Sequence, residues 1–427
     1  MTHGRPAEPG DPGLARRLGT ADGVAIGLGS MIGAGIFAAL APATAAAGSG
    51  LLVALAVAAV VAYCNATSSA RLAARYPASG GTYVYGRERL GEFWGYLAGW
   101  GFVVGKTASC AAMALTVGSY VWPDHAQPIA VAAVVAVTAL TCVGVQRTAV
   151  ASRVIVAIVL AVLAAVLAAC LTSPVAEDGR LGIGGDATPG GVLQAAGLLF
   201  FAFAGYARIA TLGEEMRDPA RTIPRAITIA LAITLAVYAA VAVAVLAVLG
   251  PALLAAATDP LAQAVSVAGR PWLVPVVRVG AAVAAVGSLL ALLLGVSRTT
   301  LAMARDRHLP GWLATVSPRV QVPRHAGIAI GSIVAVLAAT VDVRGAIGFS
   351  SFGVLAYYAI ANASAWTLAP GEGRPPRVVP AVGLAGCLTL AFFLPAWSVL
   401  TGVAVMGLGA GIYPVTRGRS ARRAGPG

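Results

Sequence analysis

Charge is what this chain of 427 residues has least of: Asp, Glu, Lys and Arg make up 11% of it, against 59% hydrophobic residues. Soluble globular proteins carry about 25% charged residues, which argues against a soluble enzyme and against a nucleic-acid partner. Lysine is nearly missing, with Lys106 the single one among 29 basic residues. The net charge of +13 is no nucleic-acid signature, because the arginines fall in short clusters between long apolar runs. Cysteine is sparse too. Cys64, Cys110, Cys142, Cys170 and Cys387 sit at irregular positions in apolar stretches, which excludes a disulfide framework or a C-x-x-C metal site and suits small packing residues. His3, His125, His308 and His325 lie in expected tails or loops without ligand spacing, and read as surface residues. No G-x-x-x-x-G-K-[S/T] loop is present, so ATP hydrolysis is not expected. Neither a metal nor a cofactor is implied. The first apolar run begins only near Gly23, so no signal peptide is expected.

What is present is apolar length. A bilayer core takes about 20 apolar residues per helix, and on that scale twelve spans are predicted: 24–47, 51–69, 93–121, 128–145, 151–172, 191–211, 223–249, 273–304, 326–341, 346–369, 378–394 and 396–415. Alternating them from a cytoplasmic N-terminus leaves 22 arginines in the inside segments and four outside, namely Arg180, Arg270, Arg278 and Arg344. Every connection is short, the regime in which the positive-inside rule holds. Both termini are thus expected in the cytoplasm of a multi-pass cell-membrane protein whose surroundings are the lipid bilayer. All 16 acidic residues fall in expected loops or tails. A span interior without carboxylates lacks the partner that a polyamine or a basic side chain needs. Tyr83, Tyr85, Trp94 and Trp100 read as interface anchors.

Two spans stand apart. The first carries five glycines between Gly23 and Phe37, and the sixth reads Phe200-Phe201-Ala202-Phe203-Ala204-Gly205-Tyr206 with Gly197 and Gly213 on either side. Each glycine costs a helix about 1 kcal/mol relative to alanine. Matching interruptions at the head of two groups of five spans point to discontinuous helices in an inverted-repeat transporter. Freed backbone groups at membrane depth are tolerated where they line a cavity. Amides there can face a carboxylate and carbonyls an ammonium, a receptor for a zwitterion without charged side chains. The alternative is that the glycines only allow close helix packing.

Four motifs in order over residues 20–325 resemble those of the amino acid–polyamine–organocation permeases. They are Gly29-Ser30-Met31-Ile32-Gly33-Ala34-Gly35-Ile36-Phe37, the loop from Arg75-Tyr76-Pro77 to Tyr85-Gly86, the sixth-span block continuing through Glu214-Glu215-Met216-Arg217-Asp218-Pro219, and Ser297-Arg298 through Arg305-Asp306 to Leu309-Pro310. The resemblance implies an all-α integral membrane protein of about twelve transmembrane helices with the leucine-transporter-type 5+5 inverted repeat and two extra C-terminal helices. In that scheme residues 1–22 and 417–427 are cytoplasmic tails, 23–172 and 191–369 the five-helix repeats, 173–190 an extracellular loop, and 370–416 helices eleven and twelve. It further implies secondary transport or exchange of amino acids. By motif position Ile32, Gly33, Ala34 and Gly35 bind the substrate carboxylate through their amides. Phe203, Ala204 and Gly205 supply carbonyls and shape near the amine, and Phe201 shields the bound solute. The chain departs from the pattern at Ala34, where many members carry Ser, and at Ala207-Arg208, where many carry an acid. It also lacks a lysine in its fifth span, and Ser288 is the one central hydroxyl candidate on the eighth; a proton is therefore preferred over sodium as a coupling ion.

Lys106 stands thirteen residues into the third span. A mid-helix lysine costs about 2.5–3.5 kcal/mol on insertion scales, so something must offset it. Either Lys106 faces the cavity, where it draws the substrate carboxylate or carries the coupled proton, or it pins the carbonyls of spans one and six. Arg208 and Arg298 are expected to snorkel or to pair with Glu214 and Glu215. Glu214, Glu215, Arg217, Arg305 and Asp306 form an expected cytoplasmic gate, with a solvated loop as the bland alternative. A membrane-embedded enzyme is the competing class, but the spans hold no nucleophile with an acid–base partner. Within transport, neutral zwitterions are favoured, and exchange without ion coupling is the alternative.

Overall fold

The computed structural model describes residues 18–77, 80–144, 149–211, 215–317, 320 and 322–423. Its helices, in chain order, are α1 Thr20–Met31, α2 Ala34–Ala38, α3 Leu40–Ala47, α4 Leu51–Arg75, α5 Thr82–Leu90, α6 Glu92–Val121, α7 Ala126–Cys142, α8 Ala149–Leu171, α9 Pro189–Phe203 and α10 Ala207–Ala210. There follow α11 Pro219–Ala256, α12 Pro260–Val267, α13 Val274–Arg305, α14 Arg324–Thr340, α15 Val343–Trp366, α16 Val378–Phe393 and α17 Ala396–Arg423. Among the described residues ten helical stretches are long and apolar enough to cross a membrane, and two apolar helices, α14 and α16, are shorter. These twelve elements fall where the apolar runs lie. The protein is an all-α, multi-pass membrane protein.

The run of each helix determines its depth in the bundle. α6 and α15 are rich in Gly, Ala and Ser; 89% and 83% of their spanning windows are buried, and they pack on each other with α13 against α6. Small residues let them approach closely: a Cβ on Gly353 would lie 2.9 Å from the Cα of Gly105. In α7 and in 396–414 of α17 only 22% is buried, and Val135, Leu140, Trp397 and Leu400 point outward. Those faces meet lipid, where an exposed apolar side chain costs nothing.

Two features differ from the reading of the sequence. The expected loop between spans two and three holds the nine-residue helix α5, and Asp22 and Glu92 occupy the first turns of α1 and α6 instead of the loops before them.

The two ends of the bundle are closed differently. At the end away from α5, Gly250 (φ 68°) bends α11 before Pro251, which has no amide to return to the preceding turn. Arg180 donates instead to the freed Ala247 (3.3 Å) and Val248 carbonyls. Asp186 on the same loop accepts from the Ser49 hydroxyl and amide at 2.5 and 2.9 Å, and these donors hold its carboxyl below its ordinary range. Arg278 and Asp259 pair at 2.9 Å.

Candidate substrate site

The first span is interrupted. α1 ends at Met31, Ile32 takes φ −80° and ψ 62°, and Gly33 takes φ −119° and ψ −136° before α2 starts at Ala34. The Ile32 amide still reaches Leu28 O at 2.7 Å, and the Gly33 amide turns back onto Met31 O at 2.8 Å. Two of the four amides assigned to the substrate carboxylate are therefore engaged within the chain. Those of Ala34 and Gly35 open a new helical stretch, whose first amides have no partner inside it. The Tyr238 hydroxyl ties the break down, donating to Met31 O at 2.5 Å and lying 3.2 Å from Ala202 O.

The sixth span behaves otherwise. α9 runs to Phe203, a single 3₁₀ turn covers Ala204–Tyr206, and α10 resumes at Ala207; Phe203, Tyr206 and Ala207 keep helical angles, and Ala204 leaves them, with φ −65° and ψ 1°. The expected second unwinding is a tightening. The Ala204 carbonyl meets two side-chain donors: it accepts from Lys106 Nζ and from the Tyr358 hydroxyl, both at 3.4 Å. The two irregular segments touch. A Cβ on Gly35 would lie 2.7 Å from the Cα of Ala202, and one on Gly205 would strike the Ser30 carbonyl and stand 2.7 Å from Met31 N.

Beside this crossing lies a cavity of about 210 Å³, below the roughly 300–1,000 Å³ of sites for drug-sized ligands. Lys106, Phe201, Ala204, Gly205 and Ser288 line its deep part with Ser30 and Ser109. It runs toward the end of the bundle that carries α5, past Arg208, Glu215 and Arg298, to Tyr83 and Thr211. On the other side Phe37 and Tyr120 meet edge to face at 5.7 Å, and the Tyr120 hydroxyl donates to Phe37 O at 3.0 Å. Of the residues singled out in the sequence, Ile32, Gly33, Ala34, Gly35 and Phe203 are buried outside the cavity wall. Phe203 packs on Tyr238 at 5.2 Å. Ser288 abuts Gly33, and its hydroxyl is buried with no hydrogen-bond partner among the described residues.

Lys106 is 6% exposed, and Ala204 O is its one hydrogen-bond acceptor among the described residues. It thus contacts a sixth-span carbonyl and faces the cavity at once. Arg208 and Arg298, expected to snorkel or to pair with acids, both stand in the cavity wall. Arg298 is near enough to Arg208 to repel it and Glu215 near enough to attract it, yet no described carboxylate lies within ion-pair distance of either arginine.

The expected gate is assembled from other partners. Glu214 lies outside the described residues. Arg217 donates its amide to Leu18 O at 2.8 Å, and Arg305 makes no ion pair with a described carboxylate. Asp306 accepts from the Tyr83 hydroxyl and lies 3.5 Å from Arg87, while Tyr83 Oη is 3.0 Å from His308 Nδ1. Tyr83 is therefore a buried cavity residue and no interface anchor. His308 is half-buried against Tyr83, Tyr96 and Tyr413, contrary to its reading as a surface residue. Burial keeps its imidazole below the ordinary range, against the pull of Asp306 and Glu92. Nearby, the Ala369 amide and Arg89 hold the Glu372 carboxyl down to about 2, linking α5 to the loop after α15. Spacing offers no signal for this cluster, because its members come from three connections.

An interrupted helix, a small hollow beside it and lipid-facing surroundings define the class: a membrane transporter of small solutes. The sequence pattern of a family described as amino acid permease matches residues 18–414, and the chain belongs to that family, within the amino acid–polyamine–organocation superfamily. An uncharacterized transporter of Mycobacterium tuberculosis is 70% identical over 97% of this chain and 94% of its own. The branched-chain amino acid permease BcaP of Bacillus subtilis is 26% identical over 90% of this chain and 89% of its own. A vacuolar cationic amino acid transporter of Arabidopsis thaliana is 30% identical over 70% of this chain and 54% of its own. The protein is an amino acid transporter rather than an enzyme.

Proposed function

We propose that the protein is a secondary active transporter of small neutral amino acids, working by alternating access between two five-helix repeats, 23–172 and 191–369, in the cell membrane. Both termini are cytoplasmic in this reading, as the arginine distribution requires. The cavity then opens inward, with Phe37 and Tyr120 closing the outer side. The observation that carries the proposal is the pairing of Lys106 with the Ala204 carbonyl in the cavity wall. A zwitterion replaces that contact with two better ones: its carboxylate meets the ammonium of Lys106 and its own ammonium meets Ala204 O. Phe201 and Gly205 shape the pocket, Ser288 offers an unengaged hydroxyl, and Ile32, Gly33, Ala34, Gly35 and Phe203 form the layer behind. Lys106 is also the group that would carry a coupled proton, since no carboxylate lines the deep part of the cavity.

Uptake of labelled leucine and alanine into proteoliposomes, with and without a proton gradient, tests the reading. Lys106→Met should lower uptake at least tenfold and flatten its dependence on pH. Wild-type uptake and pH dependence retained in that variant would remove Lys106 from the mechanism.

A further inference from the structure

The charge on the cavity wall is one-sided. Lys106 stands at its depth, Arg208 and Arg298 stand between that depth and the mouth, and Glu215 is the one carboxylate lining it among the described residues. The other polar liners, such as Ser30, Ser109 and Thr299, are neutral hydroxyls. Arg208 follows Ala204 by four residues, and Arg298 follows Ser288 by ten, or about 15 Å of helix rise. A solute moving between Ser288 and the mouth passes both guanidinium groups. Charges that share a narrow cleft with low-dielectric walls act more strongly than on an open surface, because the walls focus the field. We infer that Arg208 and Arg298, together with Lys106, form a filter that rejects amino acids with cationic side chains and admits neutral ones. The inference rests on the transport reading above and adds to it the residues that set the substrate class. Its outcome is opposite to what the name of the Arabidopsis cationic amino acid transporter says of that relative.

The filter acts on one chemical difference, a terminal ammonium. Lysine and norleucine share the same backbone and nearly the same length and differ in that charge, so they are the probes. Competition of each against labelled leucine is measured in proteoliposomes for the wild type, R208Q, R298Q, the double variant, R298K and E215Q. Norleucine should compete at least tenfold better than lysine in the wild type, a ratio equal to about 1.4 kcal/mol. R298Q and R208Q should each narrow the ratio, and the double variant should bring it within about threefold. R298K keeps the charge and should keep the ratio, which separates electrostatics from packing. E215Q removes the opposing carboxylate and should widen the ratio; this variant serves even if the double one does not fold. Equal competition by lysine and norleucine in the wild type overturns the inference, as does an unchanged ratio in the double variant or in E215Q. If the wild type takes up no leucine at all, it is the transport reading that fails instead.

Discussion

The first and sixth spans begin from the same raw material and end differently. Both are rich in glycine and both lie at the crossing beside the cavity, yet one is interrupted and the other only tightened. At Ile32–Gly33 the backbone leaves the helical region and is held there from outside, by Tyr238 on Met31 O and by Ser288 against Gly33. At Ala204–Tyr206 the backbone deviates at Ala204, where ψ flattens to 1°, and Gly205 serves by having no side chain where Ser30 and Met31 press in. A glycine in a span therefore has two separable uses, a break and a close approach. The partner across the interface decides which one operates.

Substitutions at the crossing should break this pairing in order of size. The largest effect is expected at Gly205, where alanine places a Cβ against the Ser30 carbonyl and 2.7 Å from Met31 N. Backbone on one side cannot yield as a side chain can, so Gly205→Ala should cost about 1–3 kcal/mol and abolish leucine uptake, read as a lowered Tm in detergent and as lost transport. Tolerance of alanine there would show that the two spans do not meet as described.

A smaller loss is expected from Tyr238→Phe, which removes the hydroxyl shared by the Met31 and Ala202 carbonyls. Buried hydrogen bonds are worth about 0.5–1.5 kcal/mol net. Denaturation of that variant should show a loss of this order, with faster amide exchange at Ile32–Ala34 and little change in the 3₁₀ turn. Equal loosening of both spans would erase the distinction between them.

The smallest effect lies at His308, which touches the cavity-lining Tyr83, and sharpens the contrast between a fixed crossing and a titratable periphery. The His308 imidazole is depressed by burial, so the folded state binds protons less readily there than the unfolded chain. Stability is therefore retained above the ordinary value of about 6.5 and falls as the pH drops below it. Wild-type Tm should decline more than that of His308→Gln between pH 7 and 5, with the crossing variants following the wild type. Parallel curves would show that burial of His308 does not couple its protonation to folding.

Much of the protein was legible in its sequence because a bilayer imposes a linear rule. Apolar runs could be read from length and composition; ten helical stretches among the described residues are long and apolar enough to cross a membrane, and α14 and α16 are shorter apolar helices. Lys106, Phe201, Ala204, Gly205 and Ser288 were singled out from the sequence and meet in one cavity. What escaped was everything that depends on side chains from separate connections. Tyr83 read as an anchor and His308 as a surface residue, because nothing in their own segments records Asp306, Tyr96 or Tyr413. Arg208 and Arg298 read as snorkelling residues because distance from a helix end is visible in sequence, while the hollow they face is not.

The sequence by itself determined that this chain is helical, where its helices run and which faces tolerate lipid, since each backbone bond in a span is made locally and each apolar run is counted residue by residue. Tertiary structure alone decided which of the two glycine-rich spans breaks, which carbonyl meets Lys106 and which charges share a cavity. Those outcomes are energies of contact between segments far apart in the chain. They exist only once the helices have packed.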